Sequence, residues 1–322
     1  MTGAMRTLQF ENGDAMPAIG LGTWKSRRGE VGAAVEEALR AGYRHIDCAA
    51  IYRNEAEIGE VFAAEFERGT VARRDLWVTS KLWNNAHAPA DVVPALRKTL
   101  ADLRLDYLDL YLMHWPVAFK PTSLYAESAD DMLSLEAMPI AETWAAMEAA
   151  VDAGLCRHIG VSNFTAAKLG ALLDGGVRHK PAINQVELHP YLGQRELKDF
   201  CTQRGVQLTA YSPLGSRDRP DGLKQPDEPV LLEDPKLLEV AARCGGSPAQ
   251  VLIAWAVQRG TSVIPKSVNP ERLRQNLAAA ELRLSDADVS EIDTLERGRR
   301  YVTADFFVFE GGPYTLTDIW DL

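Results

Sequence analysis

The 322-residue chain reads as an α/β protein, a single (β/α)8 barrel, and three observations carry that reading. Short β-branched or apolar runs alternate with longer helical patterns, as parallel strands joined by crossover helices require. Eight such runs are present. No GxGxxG follows any of them, so the doubly wound sheet, the other architecture that alternation allows, lacks its usual dinucleotide fingerprint. A norm of ~150 residues per domain would suggest two domains, but barrels of this length are routinely one.

The expected strands cover residues 19–22, 44–47, 76–79, Leu108–Met113, 159–162, 183–186, 206–211 and 262–264. Leu108–Met113 is short and mostly apolar, as befits a strand covered on both faces. Between residues 31 and 39 the apolar Val31, Ala34, Val35, Ala38 and Leu39 fall on one helical stripe. Ser247 and Pro248 supply an N-cap and a first-turn proline for a helix over 249–258. Ser285, three residues before Asp288, opens a helix expected over 285–296. Stretches 117–140, 213–235 and 298–322 interrupt the alternation. Loops that follow strands emerge at the C-terminal mouth of a barrel, where such proteins place their sites.

Composition narrows the function classes. Lys+Arg 35 against Asp+Glu 45 leaves a net charge of -10, so no basic face suits nucleic acid or an anionic membrane, and an anionic cofactor would need a local basic site. The N-terminal MTGAMRTLQF has no long apolar core, and no run approaches ~18 apolar residues, so a soluble, unexported protein is expected. Cys48, Cys156, Cys201 and Cys244 lie far apart without CxxC spacing, which reads as reduced thiols in a cytoplasmic protein. The six histidines show no HExxH spacing, and no metal is expected.

Asp47, Tyr52, Lys81 and His114 all fall at or just after the ends of consecutive expected strands. Singly, each has an ordinary reading as a solvated, paired or packing residue. Together at one mouth they suit proton donation to a carbonyl that receives a hydride. A phenol with pKa near ~10 is a weak acid, and an adjacent ammonium, here Lys81, is expected to lower it. Asp47 would hold Lys81, and His114 would orient the substrate oxygen.

These residues sit within motifs that resemble a known family. Gly42-Tyr43-Arg44-His45-Ile46-Asp47-Cys48-Ala49 with Tyr52, Glu55 and Gly59 resembles the first signature of the aldo-keto reductases. Residues 159–164, read Ile-Gly-Val-Ser-Asn-Phe, resemble the second, and Ile264-Pro265-Lys266-Ser267 with Arg272 and Asn276 resembles the third. Gly20-Leu21-Gly22-Thr23-Trp24 and the positions of Gln185, Tyr211 and Ser212 also fit.

The resemblance implies a single TIM barrel with an N-terminal β-hairpin cap and a C-terminal substrate loop at about 298–322. It implies NADPH-dependent reduction of aldehydes and some ketones, with Tyr52 as general acid and Asp47, Tyr52, Lys81 and His114 as catalytic tetrad. Cofactor contacts are implied at Thr23, Trp24, Asp47, Ser162, Asn163, Gln185, Tyr211, Ser212, Leu214, Ser216, Lys266, Ser267, Arg272, Gln275 and Asn276. Tyr211 would stack on the nicotinamide while Asn163 and Gln185 bond its carboxamide. Lys266, Ser267 and Arg272 place two cations and a hydroxyl near a helix start, which suits a phosphate monoester and favours NADPH over NADH. Gln275 departs from the glutamate that many members carry, so adenine-side contacts are expected to differ.

Substrate contacts are implied at Trp24, Trp83, His114, Trp115 and Phe306. For Tyr314 and Trp320, plain packing and a place in the pocket stay equally open. The partner is a small aldehyde or ketone, and the family pattern implies a monomer. A catalytically quiet NADPH-binding redox-sensor subunit is the alternative, and an intact Tyr-Lys-His set argues against it.

Overall fold

A computed structural model describes residues 6–226 and 228–322; residues 1–5 of the MTGAMRTLQF stretch lie outside the described residues. The chain begins with an antiparallel hairpin, β1 (Thr7–Gln9) against β2 (Ala15–Pro17). Eight parallel strands follow: β3 (Leu21–Gly22), β4 (His45–Asp47), β5 (Trp77–Leu82), β6 (Leu108–Met113), then, after a small hairpin of β7 (Ala118–Phe119) and β8 (Met132–Leu133), β9 (Cys156–Ser162), β10 (Ile183–Glu187), β11 (Gln207–Tyr211) and β12 (Ser262–Val263). Each pairs with the next in that order, and parallel bridges Ile19↔Val263 and Gly22↔Lys266 join the last strand to the first. The sheet therefore closes into a (β/α)8 barrel. Closure demands a glycine: a Cβ on Gly22 would lie 2.6 Å from the Ile264 carbonyl oxygen.

Leu108–Met113 is a strand over its full expected length and is buried throughout, because helices cover its outer face and the barrel interior its inner one. The helix expected over 31–39 spans Glu30–Ala41 and buries the whole apolar stripe. It ends at Gly42, whose φ of 107° is a left-handed conformation that favours glycine. Pro248–Gln258 is capped reciprocally by Ser247 and Gln250. The last expected helix is shorter than 285–296: it runs Asp286–Asp293, capped by Ser285, and the chain then turns so that Arg297 and Arg299 amides donate to the Tyr191 carbonyl at 3.4 and 2.8 Å.

The N-terminal hairpin plugs one end of the barrel. Leu8 and Met16 pack with Trp77, Leu110, Leu112 and Ile183, and Phe10 stacks on Trp77 at 5.2 Å between centroids. The three stretches that break the alternation gather at the opposite end. Stretch 117–140 carries the β7/β8 hairpin, 213–235 two short 3-10 turns, and the tail a 3-10 turn at Asp305–Phe307 and a short helix Leu316–Trp320. Among the described residues no helix is long and apolar enough to cross a membrane.

Candidate active site

Strand ends set the floor of the site. Asp47 closes β4, and Tyr52 sits on the 3-10 turn Ala50–Tyr52, which Arg53 terminates in the left-handed region at φ 57°. Lys81 lies near the end of β5, and His114 directly follows β6. The structure brings these four together. Lys81 Nζ donates to Asp47 Oδ1 at 2.5 Å and to the Cys48 carbonyl at 2.8 Å, with both partners of the ion pair buried. The ammonium lies 5.2 Å from the Tyr52 ring centroid, and the Tyr52 and His114 rings meet edge to face at 5.9 Å. Thr23 Oγ1 donates to the Asp47 carbonyl at 2.8 Å, and Asn54 Nδ2 to the Thr23 carbonyl at 3.0 Å, which ties the first strand end to the second.

Electrostatics depart from the sequence expectation in one respect. The Tyr52 phenol is held well above its ordinary value rather than lowered: burial is the main cause, with Asp47, Cys48 and Glu55 adding to it. Lys81 does not reverse this because its charge is matched by the Asp47 carboxylate at hydrogen-bond distance. The phenol thus keeps its proton in this site. Burial, then Lys81 and His87, push His114 well below the usual imidazole range, so it is neutral, and its buried Nδ1 has no partner among the described residues.

Beyond the floor, Ser162, Asn163, Gln185 and Tyr211 form a bonded set. Asn163, at φ 63°, donates from Nδ2 to the His114 carbonyl at 3.0 Å and accepts from Tyr211 Oη at 2.7 Å. Ser162 Oγ donates to the Gln185 carbonyl at 2.8 Å, and Gln185 Nε2 to Asp47 Oδ2 at 2.7 Å. Gln185 therefore braces the second oxygen of Asp47, a role that spacing alone did not suggest.

One cavity of about 1250 Å³ runs from this floor in two directions. The expected catalytic, cofactor and substrate residues all line it except Lys81, which lies beneath Asp47, and neither Tyr314 nor Trp320 is in its lining. Toward one end stand Lys266, Ser267, Arg272, Gln275 and Asn276. The Arg272 amide caps onto Asn269 Oδ1 at 3.0 Å, while its guanidinium makes no ion pair among the described residues. Gln275 Nε2 donates to Glu271 Oε1 at 3.1 Å, so a carboxylate stands one helical turn from the position where the family often has one.

Sequence reasoning missed the clasp over this end. After β11 the chain turns through Ser212, Gly215 and Ser216, all with positive φ. Asp218 then reaches back across the cavity to Lys25 at 2.6 Å and to Lys266 at 3.5 Å, and Lys25 also bonds Ser216 Oγ at 3.1 Å. Lys25 and Asp218 lie 193 residues apart, and a single charged residue in a polar loop carries no signal of a distant partner, so nothing in the sequence marked them.

Toward the other end stand Trp24, Trp83, Trp115 and Phe306, joined by the tail aromatic Phe307 and by Phe119, Tyr125 and Val302, which the sequence did not single out. Trp83 meets His114 at 5.1 Å, and Trp115 meets Phe307 at 5.1 Å. Tyr314 and Trp320 resolve as packing: Tyr314 Oη donates to the Leu133 carbonyl at 2.6 Å and accepts from Ala118 N at 2.9 Å, and Trp320 Nε1 donates to the Thr303 carbonyl at 2.7 Å.

Fold and site together define a (β/α)8 barrel with a polar, tyrosine-centred floor at the C-terminal mouth of its strands. The chain belongs to the aldo/keto reductase family, a family of oxidoreductases, whose model matches residues 18–297. It is similar to the aldo/keto reductase slr0942 of Synechocystis sp., 56% identical over 318 residues that cover 99% of this chain and 97% of that protein. It is also similar to aldo-keto reductase family 1 member A1 of Homo sapiens, 51% identical over 296 residues (91% of this chain, 90% of that protein), and of Mus musculus, 50% identical over the same length and coverage.

Proposed function

We propose that the protein reduces aldehydes, and some ketones, to alcohols with NADPH, and that Tyr52 is the general acid. The observation that carries this reading is the buried Lys81–Asp47 pair beneath Tyr52, with neutral His114 beside it, on the floor of a cavity of about 1250 Å³. When bound, NADPH would supply the hydride. Its fit is supported by the Arg272 guanidinium, unpaired among the described residues, by Lys266 toward the same end, and by the Tyr211 ring and the Ser162–Asn163 pair near the floor.

The chain's own residues do the rest. A carbonyl oxygen between Tyr52 and His114 meets two donors whose positions are set before it arrives, so charge that develops there is stabilised without reorganisation. Burial keeps the phenolic proton on Tyr52 until that charge appears, and Lys81 stabilises the phenolate left behind. His114, kept neutral, donates a hydrogen bond and no proton. The Asp47 carboxylate, bonded by Lys81 and Gln185, holds the ammonium in place. Trp83, Trp115, Phe119 and Phe306 exclude water and contact the substrate's apolar part. Action as a monomer in the cytoplasm belongs to the same reading, and the four free thiols suit a reducing compartment.

The test is Tyr52→Phe, which removes the transferable proton and leaves the ring. NADPH binding, read by fluorescence, should persist while kcat falls ~10²–10⁴-fold. Turnover near that of the unaltered enzyme would exclude Tyr52 as the donor.

A further inference from the structure

Glu187 ends β10, is fully buried, and is used by no step above. Its carboxylate accepts three hydrogen bonds. Oε1 takes Nε2 of His189 at 2.8 Å and the Tyr301 amide at 2.7 Å; Oε2 takes the Val302 amide at 2.9 Å. Those two consecutive amides belong to irregular chain, with no ladder or helix to pair them, so this carboxylate is what satisfies them. Arg300, immediately before them, places its guanidinium 3.6 Å from the centroid of the Trp320 ring.

Two structures depend on that short segment. Forward along the chain, Val302, Phe306 and Phe307 wall the substrate end of the cavity. Sideways, Tyr301 Oη donates to the Pro229 carbonyl at 2.7 Å, the guanidinium of fully buried Arg219 lies 4.9 Å from the Tyr301 ring, and Arg299 reaches Glu228 at 3.4 Å. Arg219 also pairs with Glu228 and donates to the Leu223 carbonyl at 3.0 Å, which makes it the internal post of the 213–235 stretch whose Asp218 clasps the cofactor end.

We infer that Glu187 is a positioning residue that latches the tail to the barrel at Tyr301 and Val302, and so sets both the aldehyde preference and the retention of NADPH. The inference rests on the proposed function. Glu187→Gln keeps the size but turns an amide donor toward one of the two backbone N–H groups, so one arm of the latch opens.

The experiment compares the unaltered enzyme, Glu187→Gln and Tyr301→Phe. It uses propanal, which needs little wall, and benzaldehyde and octanal, which need more. NADPH release is followed by stopped-flow fluorescence, and hydrogen exchange is followed over 299–310 and 214–226. Glu187→Gln should lower kcat/KM for the two larger aldehydes about tenfold through KM, the loss expected from one hydrogen bond to a charged group, with propanal little changed. It should also speed NADPH release and raise exchange in both segments. Tyr301→Phe, which cuts only the bond to Pro229, should speed release and leave the aldehyde ranking intact. Unaltered ranking and release in Glu187→Gln, a uniform fall in kcat for all three aldehydes, or faster exchange in only one segment would overturn the latch. Should Glu187→Gln fail to fold, unchanged release in Tyr301→Phe overturns the coupling to the cofactor end. An unaltered enzyme without NADPH-dependent turnover would sink the proposed function alone, since exchange in the variants still reads the latch.

Discussion

Glu55 gives the protein a stability that should fall as pH rises toward neutrality. Its side chain, in the first turn of the helix Glu55–Glu67, is buried, accepts from Ser80 Oγ at 2.5 Å and Thr99 Oγ1 at 3.1 Å, and has no cation paired to it among the described residues. Burial pushes its carboxyl from 4.5 up to about 7 against the pull of those two hydroxyls. The sign follows from the proton. Below pH 4.5 folded and unfolded chains both carry it; between 4.5 and about 7 only the folded chain does, so ionisation favours the unfolded state; above 7 the decline stops. At about 1.4 kcal/mol per pH unit the loss accumulates to ~3 kcal/mol across that interval. His45 and His87 act in the opposite sense, since burial lowers each from 6.5 to about 4 and their contribution is lost as pH falls through that range. Glu55→Gln isolates the acid, because Ser80 and Thr99 hydroxyls can turn to meet an amide. Urea unfolding at pH 5, 6, 7 and 8 should show the variant gaining on the unaltered protein by ~3 kcal/mol from the lowest to the highest pH. A difference that stays flat with pH would refute the assignment of a buried, neutral carboxyl to Glu55.

Replacing Lys266 and Arg272 with neutral residues should weaken NADPH by about one to two decades per charge-assisted contact and NADH far less; equal losses in a titration would mean that neither residue reads the extra phosphate. Asp218→Asn removes the charge that spans Lys25 and Lys266, and because Asp218 is 57% exposed the effect is modest, about fivefold faster NADPH release in a stopped-flow trace and no change in kcat for a substrate limited by chemistry. Lengthening an aliphatic aldehyde by two carbons should raise kcat/KM roughly fifteenfold at ~0.8 kcal/mol per buried methylene until the aromatic end is full, and a flat series would remove that wall from substrate choice.

The barrel was legible because its strands are short, apolar and separated by helical stripes, and the stripes are written by burial itself: Val31, Ala34, Val35, Ala38 and Leu39 all face the core. Boundaries were less so. Only the Leu21–Gly22 part of the run expected at 19–22 is strand, with Ile19 joined across the closure by an isolated bridge, since a strand ends where its neighbour's hydrogen bonds end and not where its side chains turn polar. The helix expected over 285–296 stopped early for a similar reason, because a distant carbonyl at Tyr191 drew the chain away.

At the site, legibility followed the length of contact along the chain. Asp47 and Lys81 sit near strand ends and Tyr52 and His114 just after them, so an eight-strand pattern was enough to bring them to one mouth. Their electrostatics was not readable in the same way: proximity of Lys81 to Tyr52 suggested a lowered phenol, whereas depth of burial, which no spacing reports, outweighs a cation already matched by Asp47. The residues that the pattern missed are those fixed by loops. Asp218 meets Lys25 across 193 residues and Glu187 meets Tyr301 across 114, and neither bond has a periodicity that would announce it. Both bonds nevertheless end on the same two stretches, 213–235 and the tail, which the sequence marked only as breaks in the repeat. A barrel wall tolerates such breaks at its C-terminal mouth because the strands below are already paired, so the loops are free to be held by single buried or bridging carboxylates. Under the proposed function, that division puts hydride chemistry on the strand ends and the choice of aldehyde and cofactor on segments that, by the inference above, one carboxylate substitution would loosen.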